Sequence, residues 1–258
     1  MLNDYKKEII EAYKNRLSTK KIAELYGSSQ NTISRFLKKN DVEVTRRRCR
    51  KNIDSNYFDT INSPLKAYFL GFIAADGSVY KSGRKIVFSL AIQSSDRIIL
   101  EKLSEELSGS DILVGNSFTR ENGHSTTDVR FSDEIFVNCL LKQGICFGKT
   151  MNLDWIDMSE IYMRDFIRGY FDGDGSVYIS KNKIYGNFVG NKIFIPKLRD
   201  YLFDKKILPT RYAIVDRGNF CSFHFGSKGG LSSLYNYMYY DGCFCLERKK
   251  VKFEFCPS

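Results

Sequence analysis

The sequence predicts an α+β protein made of two related halves, with a small all-α domain in front of them. The pentapeptide DGSVY occurs twice, beginning at Asp76 and at Asp174, which lie 98 residues apart. Each copy follows an apolar stretch with a glycine five residues before the aspartate, Gly71 in the first and Gly169 in the second. Two matched segments at so long a period indicate a duplicated domain rather than a short-repeat solenoid.

The front of the chain is set apart by its charge. The 258 residues carry a formal net charge of +10, and the first 52 alone hold 14 lysines and arginines against six acidic residues. Charge concentrated in this way is typical of a module that binds a polyanion, and the alternative is a solvated basic tail.

The pattern within residues 1–44 predicts a helix-turn-helix DNA-binding domain. An earlier helix, roughly 5–16, covers two short helices that are separated by a break at Gly27. Apolar residues recur at helical spacing on both sides of that break: Ile22, Leu25 and Tyr26, then Ile33, Phe36 and Leu37. The segment resembles the small helix-turn-helix units of resolvase- and transposase-type proteins, and the alternative is a plain helical hairpin. The predicted DNA contacts on its second helix are Gln30, Asn31, Thr32, Ser34, Arg35 and Lys38.

Residues 45–57 are predicted to be a basic linker. Its basic run TRRRCRKN at 45–52 has no apolar face, and the arginines Arg46, Arg47 and Arg48 suit contacts along phosphates or in a minor groove. An unstructured tether is the alternative, and a tether could also make those contacts.

The apolar stretches before the two repeats predict a pair of matched helices. Ser63 and Ser159 are the expected N-caps, and each helix is expected to end at the glycine that follows its aspartate. Small residues recur four apart on each helix, Gly71 with Ala75 and Gly169 with Gly173, and this spacing lets two helix backbones approach closely.

Packing of these helices would bring Asp76 and Asp174 together. Two carboxylates about 4 Å apart repel by roughly 4 kcal/mol at an effective dielectric of about 20, and the negative helix C-termini add to the repulsion. A hard divalent cation, bound by these carboxylates, nearby carbonyls and water, is the counter-charge we expect. The alternative is that each Asp-Gly pair only forms a turn.

The segments LGFIAADG and RGYFDGDG resemble the two signature helices of the LAGLIDADG homing endonucleases, in the single-chain form that carries both copies. The resemblance covers about residues 58–255 and implies two pseudo-symmetric αββαββα halves, 58–150 and 151–258. It implies that the signature helices form the interface between the halves, and that two four-stranded sheets form a saddle over the DNA major groove.

The resemblance also implies the site. The last acid of each signature would be the catalytic metal ligand, Asp76 in one half and Asp174 in the other, for Mg²⁺ or Mn²⁺. The carbonyls of the preceding residues, Ala75 and Gly173, are further expected ligands. Asp172 fits an earlier acid of the signature, where the first copy has Ala74.

Lys149 and Lys249 lie at matched positions near the ends of the two halves. Lys149 lies 73 residues after Asp76, and Lys249 lies 75 residues after Asp174. The resemblance implies a basic residue near the scissile phosphate from this region, so both lysines are candidate catalytic residues. Phosphate contacts or simple solvation are the alternatives.

Alternating segments predict strands whose polar faces suit direct readout of base edges. RKIVFSLAIQSS, TTDVRFS, KIYGNFVG, RYAIVDR and NFCSFHF show this alternation. A solvated sheet face is the alternative for any single residue. The predicted DNA contacts are Lys85, Ser89, Gln93, Arg130, Lys183, Tyr185, Asn187, Arg211, Arg217 and His224.

The sequence therefore predicts a site-specific double-strand DNA endonuclease that uses divalent metal ions and acts as a monomer on a long target. A non-catalytic DNA-binding regulator and an RNA maturase on the same fold are the alternatives. No apolar run reaches the length of a membrane span, and the seven scattered cysteines favour a reducing intracellular compartment, cytoplasm or organelle.

Overall fold

The computed structural model of the chain describes residues 2, 4–14, 17, 19–42, 44, 53–110, 113–115, 117–119, 123, 125–180, 183–226 and 228–254. It divides into two compact units, Met1–Asn52 and Ile53–Ser258. None of the helices among those residues combines the length and the apolar character needed to cross a membrane. The five cysteines within these ranges are all free thiols.

The first unit is helical. Its helices are α1 (Lys6–Lys14), α2 (Thr19–Leu25) and α3 (Gln30–Lys39). Gly27 takes a positive φ of 59° in the turn between α2 and α3, and the Ser29 side chain caps α3 by accepting from the backbone N–H of Thr32. Leu25, the last residue of α2, is 66% exposed although it shares the helical spacing of Ile22. The buried core comprises Ile9, Tyr13, Ile22, Ala23, Ile33 and Leu37.

The second unit begins with an αββαββα half. Its elements are α4 (Pro64–Asp76), β1 (Gly77–Ser82), β2 (Lys85–Gln93), α5 (Arg97–Ser108), β3 (Phe118–Thr119), β4 (Ser125–Phe131) and α6 (Glu134–Lys142). A single turn, α7 (Lys149–Asn152), follows. The strands form one antiparallel sheet in the order β1-β2-β4-β3.

The following half repeats that order. Its elements are α8 (Glu160–Asp174), β5 (Gly175–Ser180), β6 (Lys183–Gly190), α9 (Phe194–Asp204), β7 (Ile214–Asp216), β8 (Cys221–Phe225) and α10 (Lys228–Met238). A last helix, α11 (Glu247–Glu254), follows. The second sheet is also antiparallel, in the order β5-β6-β8-β7. The predicted α+β class and the two αββαββα halves are confirmed.

The second unit starts earlier than the sequence suggests. Residues 53–57 were predicted to end the linker, but Tyr57 is buried and its hydroxyl donates to Glu106 at 3.3 Å. The backbone N–H of Asp54 also donates to the carbonyl of Leu107 at 2.7 Å. This segment therefore packs on α5 and belongs to the core, because an aromatic side chain and backbone bonds hold it there.

Helices α4 and α8 pack backbone against backbone. A Cβ atom on Gly71 would lie 2.8 Å from the carbonyl carbon of Phe166, and a Cβ on Gly169 would lie 2.8 Å from that of Tyr68. Real Cβ contacts are essentially never so short. Both the glycines and their partners are related by the spacing of 98 residues, so the two contacts are reciprocal about a pseudo-two-fold axis.

The ends of these helices were partly predicted. Ser63 accepts a hydrogen bond from the backbone N–H of Lys66, as expected of an N-cap, but Ser159 makes no capping bond. Gly77 and Gly175 end the helices as predicted, though not in the left-handed conformation usual for terminal glycine. Their φ angles are −70° and −88°, because the chain runs straight into β1 and β5. A Cβ on Gly77 would lie 2.7 Å from the side chain and the carbonyl oxygen of Ile73, so close packing explains the glycine.

Gly71→Ala should destabilise the protein by up to about 2 kcal/mol. The new methyl group collides with backbone, and overpacking costs about 1–3 kcal/mol, whereas alanine regains about 1 kcal/mol of helix propensity. Urea unfolding measures the change. Gly229→Ala on α10, where a Cβ meets nothing within 4 Å, is the matched control and should leave stability unchanged or slightly raised. Equal stability of the two variants would contradict the backbone contact.

Candidate functional site

The two repeated aspartates come together at the ends of the paired helices. Asp76 is the last residue of α4 and Asp174 the last residue of α8. The carboxylate of Asp76 reaches across the interface, so that a Cβ on Gly173 would lie 3.2 Å from its Oδ2. The helix packing therefore places one acid from each half in a single cluster.

Each lysine predicted for the site caps the signature helix of its own half. Lys149 Nζ donates to the carbonyl of Ala74 at 3.0 Å and to that of Ala75. A cation at a helix C-terminus is favourable because the unpaired carbonyls there carry negative partial charge. The carbonyl of Ala75, which was expected to bind metal, is thus a partner of the lysine.

The second lysine is held more extensively. Lys249 Nζ donates to the carbonyls of Phe171 and Gly173, both at 2.9 Å, and to that of Gly175 at 2.6 Å. The residue is only 6% exposed. The carbonyl of Gly173, the counterpart of Ala75, is therefore also engaged by an ammonium group.

Burial is the main influence on the protonation of the two acids. Desolvation by the packed helix ends, followed by the charge of Asp174, raises the pKa of Asp76 to about 6, although one side of this residue is exposed to solvent. Desolvation also raises the pKa of Asp174, and both lysines oppose that rise. In turn, desolvation lowers the pKa of Lys149 and brings the pKa of Lys249 to about 8.

Asp172, which matched an earlier acid of the signature, has a structural role. It is buried, and its Oδ2 accepts from the hydroxyl of Tyr68 on α4 and from the backbone N–H of Leu246, both at 2.7 Å. Burial raises its pKa to about 6 against these two bonds. The side chain thus ties the two halves and the segment before α11 together.

Sequence reasoning missed a second buried polar group on α8. Arg168 is 1% exposed and donates to Asp165 at 2.6 Å, to the carbonyl of Met238 at 2.7 Å and to that of Phe244 at 3.0 Å. Its position in RDFIRGYF, one residue before the signature glycine, was a usable signal, since a charge in an apolar helix needs buried partners.

The oxygen donors of the site fit a hard divalent cation. Magnesium is commonly held by one or two carboxylates together with substrate phosphates and water. Asp76 and Asp174 supply such a pair, and desolvation at the packed helix ends raises the pKa of both carboxyls. Within the described ranges, no group of three or more His, Cys, Asp or Glu side chains could hold a metal. Asp76 and Asp174 are the two carboxylates at the helix ends that could hold such a cation.

Beside the acids, the outer face of the first sheet carries an open polar row. Ser78 pairs with Ser89, and Ser89 pairs with Arg130, so the three lie side by side across β1, β2 and β4. Arg130 is exposed, and its guanidinium lies 5.5 Å from the ring centre of Tyr80. The other predicted contacts of this sheet, Lys85 and Gln93, are exposed on the same side of β2.

In the matching row of the second sheet, the side chains form hydrogen bonds with other side chains of the same sheet. Ser176, Asn187 and His224 lie side by side, and Ser176 donates to Asn187 at 2.5 Å. His224 contacts the Tyr178 hydroxyl through Nδ1 at 3.0 Å and the Ser222 hydroxyl through Nε2 at 3.1 Å. Desolvation and Arg217 lower the pKa of His224. Of the remaining predicted contacts, Lys183 is exposed and Tyr185 half-buried.

The prediction for RYAIVDR is wrong in extent. Strand β7 covers only Ile214–Asp216, so Arg211 and Arg217 lie outside it. Arg211 makes a bidentate pair with Asp200, both bonds at 2.8 Å, because that carboxylate lies within reach on α9. Arg217 is exposed in the turn before β8.

The predicted contacts of the first unit have mixed surroundings. Gln30 donates to the Thr19 hydroxyl at 3.2 Å, and Ser34 donates to the carbonyl of Gln30 at 2.9 Å. Arg46, Arg47 and Arg48 lie outside the described residues. The other predicted contacts are exposed on α3: Asn31, Thr32, Arg35 and Lys38.

The chain matches the family model described as LAGLIDADG-like domain over residues 63–134 and 162–190. These segments contain the signature helix and the first hairpin of both halves. Both halves of the second unit are therefore similar to this family model over the matched residues.

A curated relative from Methanocaldococcus jannaschii, itself uncharacterised, is 27% identical over 179 residues. The match covers 67% of this chain but only 63% of that relative. Similar solved structures include the meganuclease I-SmaMI bound to uncleavable DNA, with 14% identity and a TM-score of 0.49 over 74% of this chain and 89% of that one. The meganuclease I-CpaMI bound to uncleaved DNA has 11% identity and a TM-score of 0.49 over 75% and 90%.

Asp76→Asn should stabilise the metal-free protein at neutral pH. A folded-state pKa of about 6 against 3.8 for an ordinary aspartate means that the folded state holds the proton more tightly. The free energy of unfolding of the wild type therefore falls as pH rises through that window, and the amide removes this fall. We expect a gain of up to about 1 kcal/mol at pH 7.5, since solvent screens an exposed group.

Urea unfolding in EDTA at pH 4 and pH 7.5 measures this effect. Asp59→Asn is the control, because Asp59 is exposed and paired with Lys142. The gain should be much smaller at pH 4. A loss of stability for Asp76→Asn at pH 7.5 would show that the site does not repel the Asp76 charge.

Proposed function

We propose that the protein is a site-specific double-strand DNA endonuclease that uses divalent metal ions held by Asp76 and Asp174. One observation carries this proposal: two helices that pack backbone against backbone end in adjacent acids, where burial raises the pKa of both carboxyls despite two nearby lysines. Each half places an acid at a negative helix end, which is electrostatically unfavourable. This repetition favours a role of the acids in chemistry over a role in folding.

The two acids would act as a shared anchor for metal. A bound divalent cation supplies an activated water and neutralises charge on the leaving oxygen. The chain contributes ionised carboxylates at a fixed separation, because α4 and α8 cannot slide without a backbone collision. Since the pKa of Asp76 is about 6, this carboxyl is ionised above that pH, and cleavage should rise with pH through that range.

Lys149 and Lys249 would supply positive charge around the acids. Each ammonium lies on helix-end carbonyls one residue before an aspartate, where it offsets both the helix dipole and the carboxylates. In a complex with DNA, this places a cation near the phosphates that approach the acids and stabilises charge that develops there.

The outer faces of the two sheets would read the target. Their central rows begin two residues after the acids, and they offer different chemistry in the two halves: an exposed arginine on the first sheet and a bonded amide–imidazole network on the second. Arginine favours guanine edges, whereas the amide of Asn187 suits adenine. Unequal faces suit an asymmetric target for a monomer.

Asp76→Asn and Asp174→Asn should each abolish double-strand cleavage while leaving DNA binding within a few-fold of the wild type. The amide keeps the size of the side chain but removes the charge that holds a cation. A target is first selected from a randomised DNA library by cleavage in Mg²⁺ or Mn²⁺. Cleavage of that target and its binding in Ca²⁺ are then measured for all variants.

The control is Asp59→Asn, which removes a carboxylate from an exposed ion pair remote from the site and should cleave normally. EDTA should stop the wild type. Tight binding without cleavage by the wild type in any metal would contradict the enzyme and favour a DNA-binding regulator. Preference for structured RNA over duplex DNA would favour a maturase.

The first unit would extend the contact with DNA. Its charge and the exposed polar face of α3 support insertion of that helix into a major groove. Linkage to a second DNA-binding unit raises the overall affinity without new contacts in the core.

The double substitution Arg35→Gln, Lys38→Gln should weaken binding and reduce the magnitude of the salt slope of log affinity by about 1–2, since each lost phosphate contact lowers it by about 0.9. Titrations between 50 and 200 mM salt measure it. Lys6→Gln, Lys7→Gln on α1 removes the same charge and is the matched control. An equal loss in both double variants would show that α3 has no special role.

A further inference from the structure

The start of each lysine-bearing helix is held by the opposite half. In the second half, Arg248 at the start of α11 pairs with Asp96, which lies between β2 and α5 of the first half. Its Nε donates to Asp96 Oδ1 at 2.6 Å, and Nη2 donates to Oδ2. The next residue along α11 is Lys249, so this ion pair and the lysine share one helical turn.

Asp96 makes this contact instead of capping the helix that follows it. It precedes α5 at the N-cap position, where an aspartate normally accepts from the helix backbone, yet its side chain makes no such bond. The residue is only 6% exposed, and its carboxylate turns to the arginine of the other half instead. Of the hydrogen bonds described for Leu246, Arg248 and Lys249, those with Asp96 are the ones that come from the first half.

An uncharged contact, made by Asn191, does the same for the lysine of the first half. We call the Asp96–Arg248 ion pair and this Asn191 contact the two braces. Asn191 follows β6 of the second half, and its Nδ2 donates to the carbonyl of Lys149 at 3.2 Å and to that of Leu153 at 2.9 Å, at the two ends of α7. Its Oδ1 accepts from the backbone N–H groups of Ile193 and Phe194. In both cases a loop between the second strand of one half and the following helix holds the lysine segment of the other.

We propose that Asp96 and Asn191 are positioning residues that set the two lysines separately, and hence the rates at which the two DNA strands are cut. Asp96 acts through Arg248 on Lys249, and Asn191 acts through the backbone of α7 on Lys149. This inference rests on the proposed endonuclease function. The two braces differ in chemistry, since one is an ion pair and the other a neutral amide contact. The two DNA strands are therefore cut at different rates.

The test compares strand cleavage in variants that lose one brace. Asp96→Asn leaves Arg248 half-exposed and able to be solvated, whereas Arg248→Met would leave a buried carboxylate alone. Asn191→Asp keeps the acceptor for the α9 backbone and loses the donors to α7. End-labelled target gives the rate for each strand, and Lys249→Met and Lys149→Met identify which strand depends on which lysine.

We expect Asp96→Asn to slow cleavage of the DNA strand that depends on Lys249 by about tenfold, since small displacements of a positioned group reduce a rate by this much or more. Nicked DNA should accumulate. Asn191→Asp should shift the strand bias in the opposite direction. Adding Arg248→Met to Asp96→Asn should change the strand ratio no further, because the brace is already lost. Asp59→Asn, which breaks an ion pair inside the first half, should keep the wild-type ratio.

Hydrogen exchange provides a readout that does not need activity. Amides of α11 should exchange faster in Asp96→Asn than in Asp59→Asn, with α4 and α8 unchanged. If the wild type cleaves no DNA, the endonuclease is wrong and exchange alone decides whether the brace exists. Unchanged exchange in α11 overturns the brace, and faster exchange with an unaltered strand ratio overturns its role in cleavage.

Discussion

The close contact of α4 and α8 is the constraint on which the other features of the second unit depend. Gly71 and Gly169 bring each helix against the backbone of the other, and the helices then end together. The two sheets start directly from those ends, since β1 and β5 begin at the glycines that follow the acids. The same contact therefore fixes the acids, the first strands and the relation between the halves.

This arrangement is electrostatically unfavourable by itself, and nearby positive charge partly offsets it. Two carboxylates lie at two negative helix ends, and a lysine from each half covers the carbonyls beside them. The compensation is incomplete, because the pKa of Asp76 remains raised to about 6. The carboxylates of such a site would offer ligands to a cation, and its two ammonium groups would offer positive charge to a polyanion.

Much of the second unit could be predicted because its signals are local or repeated. The doubled DGSVY, the small residues four apart and the alternation of RKIVFSLAIQSS gave the helices, the acids and strand β2. What failed depended on contacts distant in sequence. Arg211 alternates with strand residues but is taken by Asp200, and Tyr57 looks like linker but packs on α5. The role of Asp172 needed its partners Tyr68 and Leu246, which no local pattern identifies.

The departures from exact symmetry are informative because the backbone is so closely repeated. A duplicated fold gives each half one acid, one lysine and one polar row, and a homodimer would do the same. A single chain can let the copies diverge: Arg248 stands where the first half has Gly148, and the row of Ser78, Ser89 and Arg130 faces one of Ser176, Asn187 and His224. The glycines and acids of the interface are kept, whereas other side chains on the same two helices differ, as Ala74 and Asp172 do. The contact that joins the halves therefore depends on Gly71 and Gly169, and the side chains around them are free to differ.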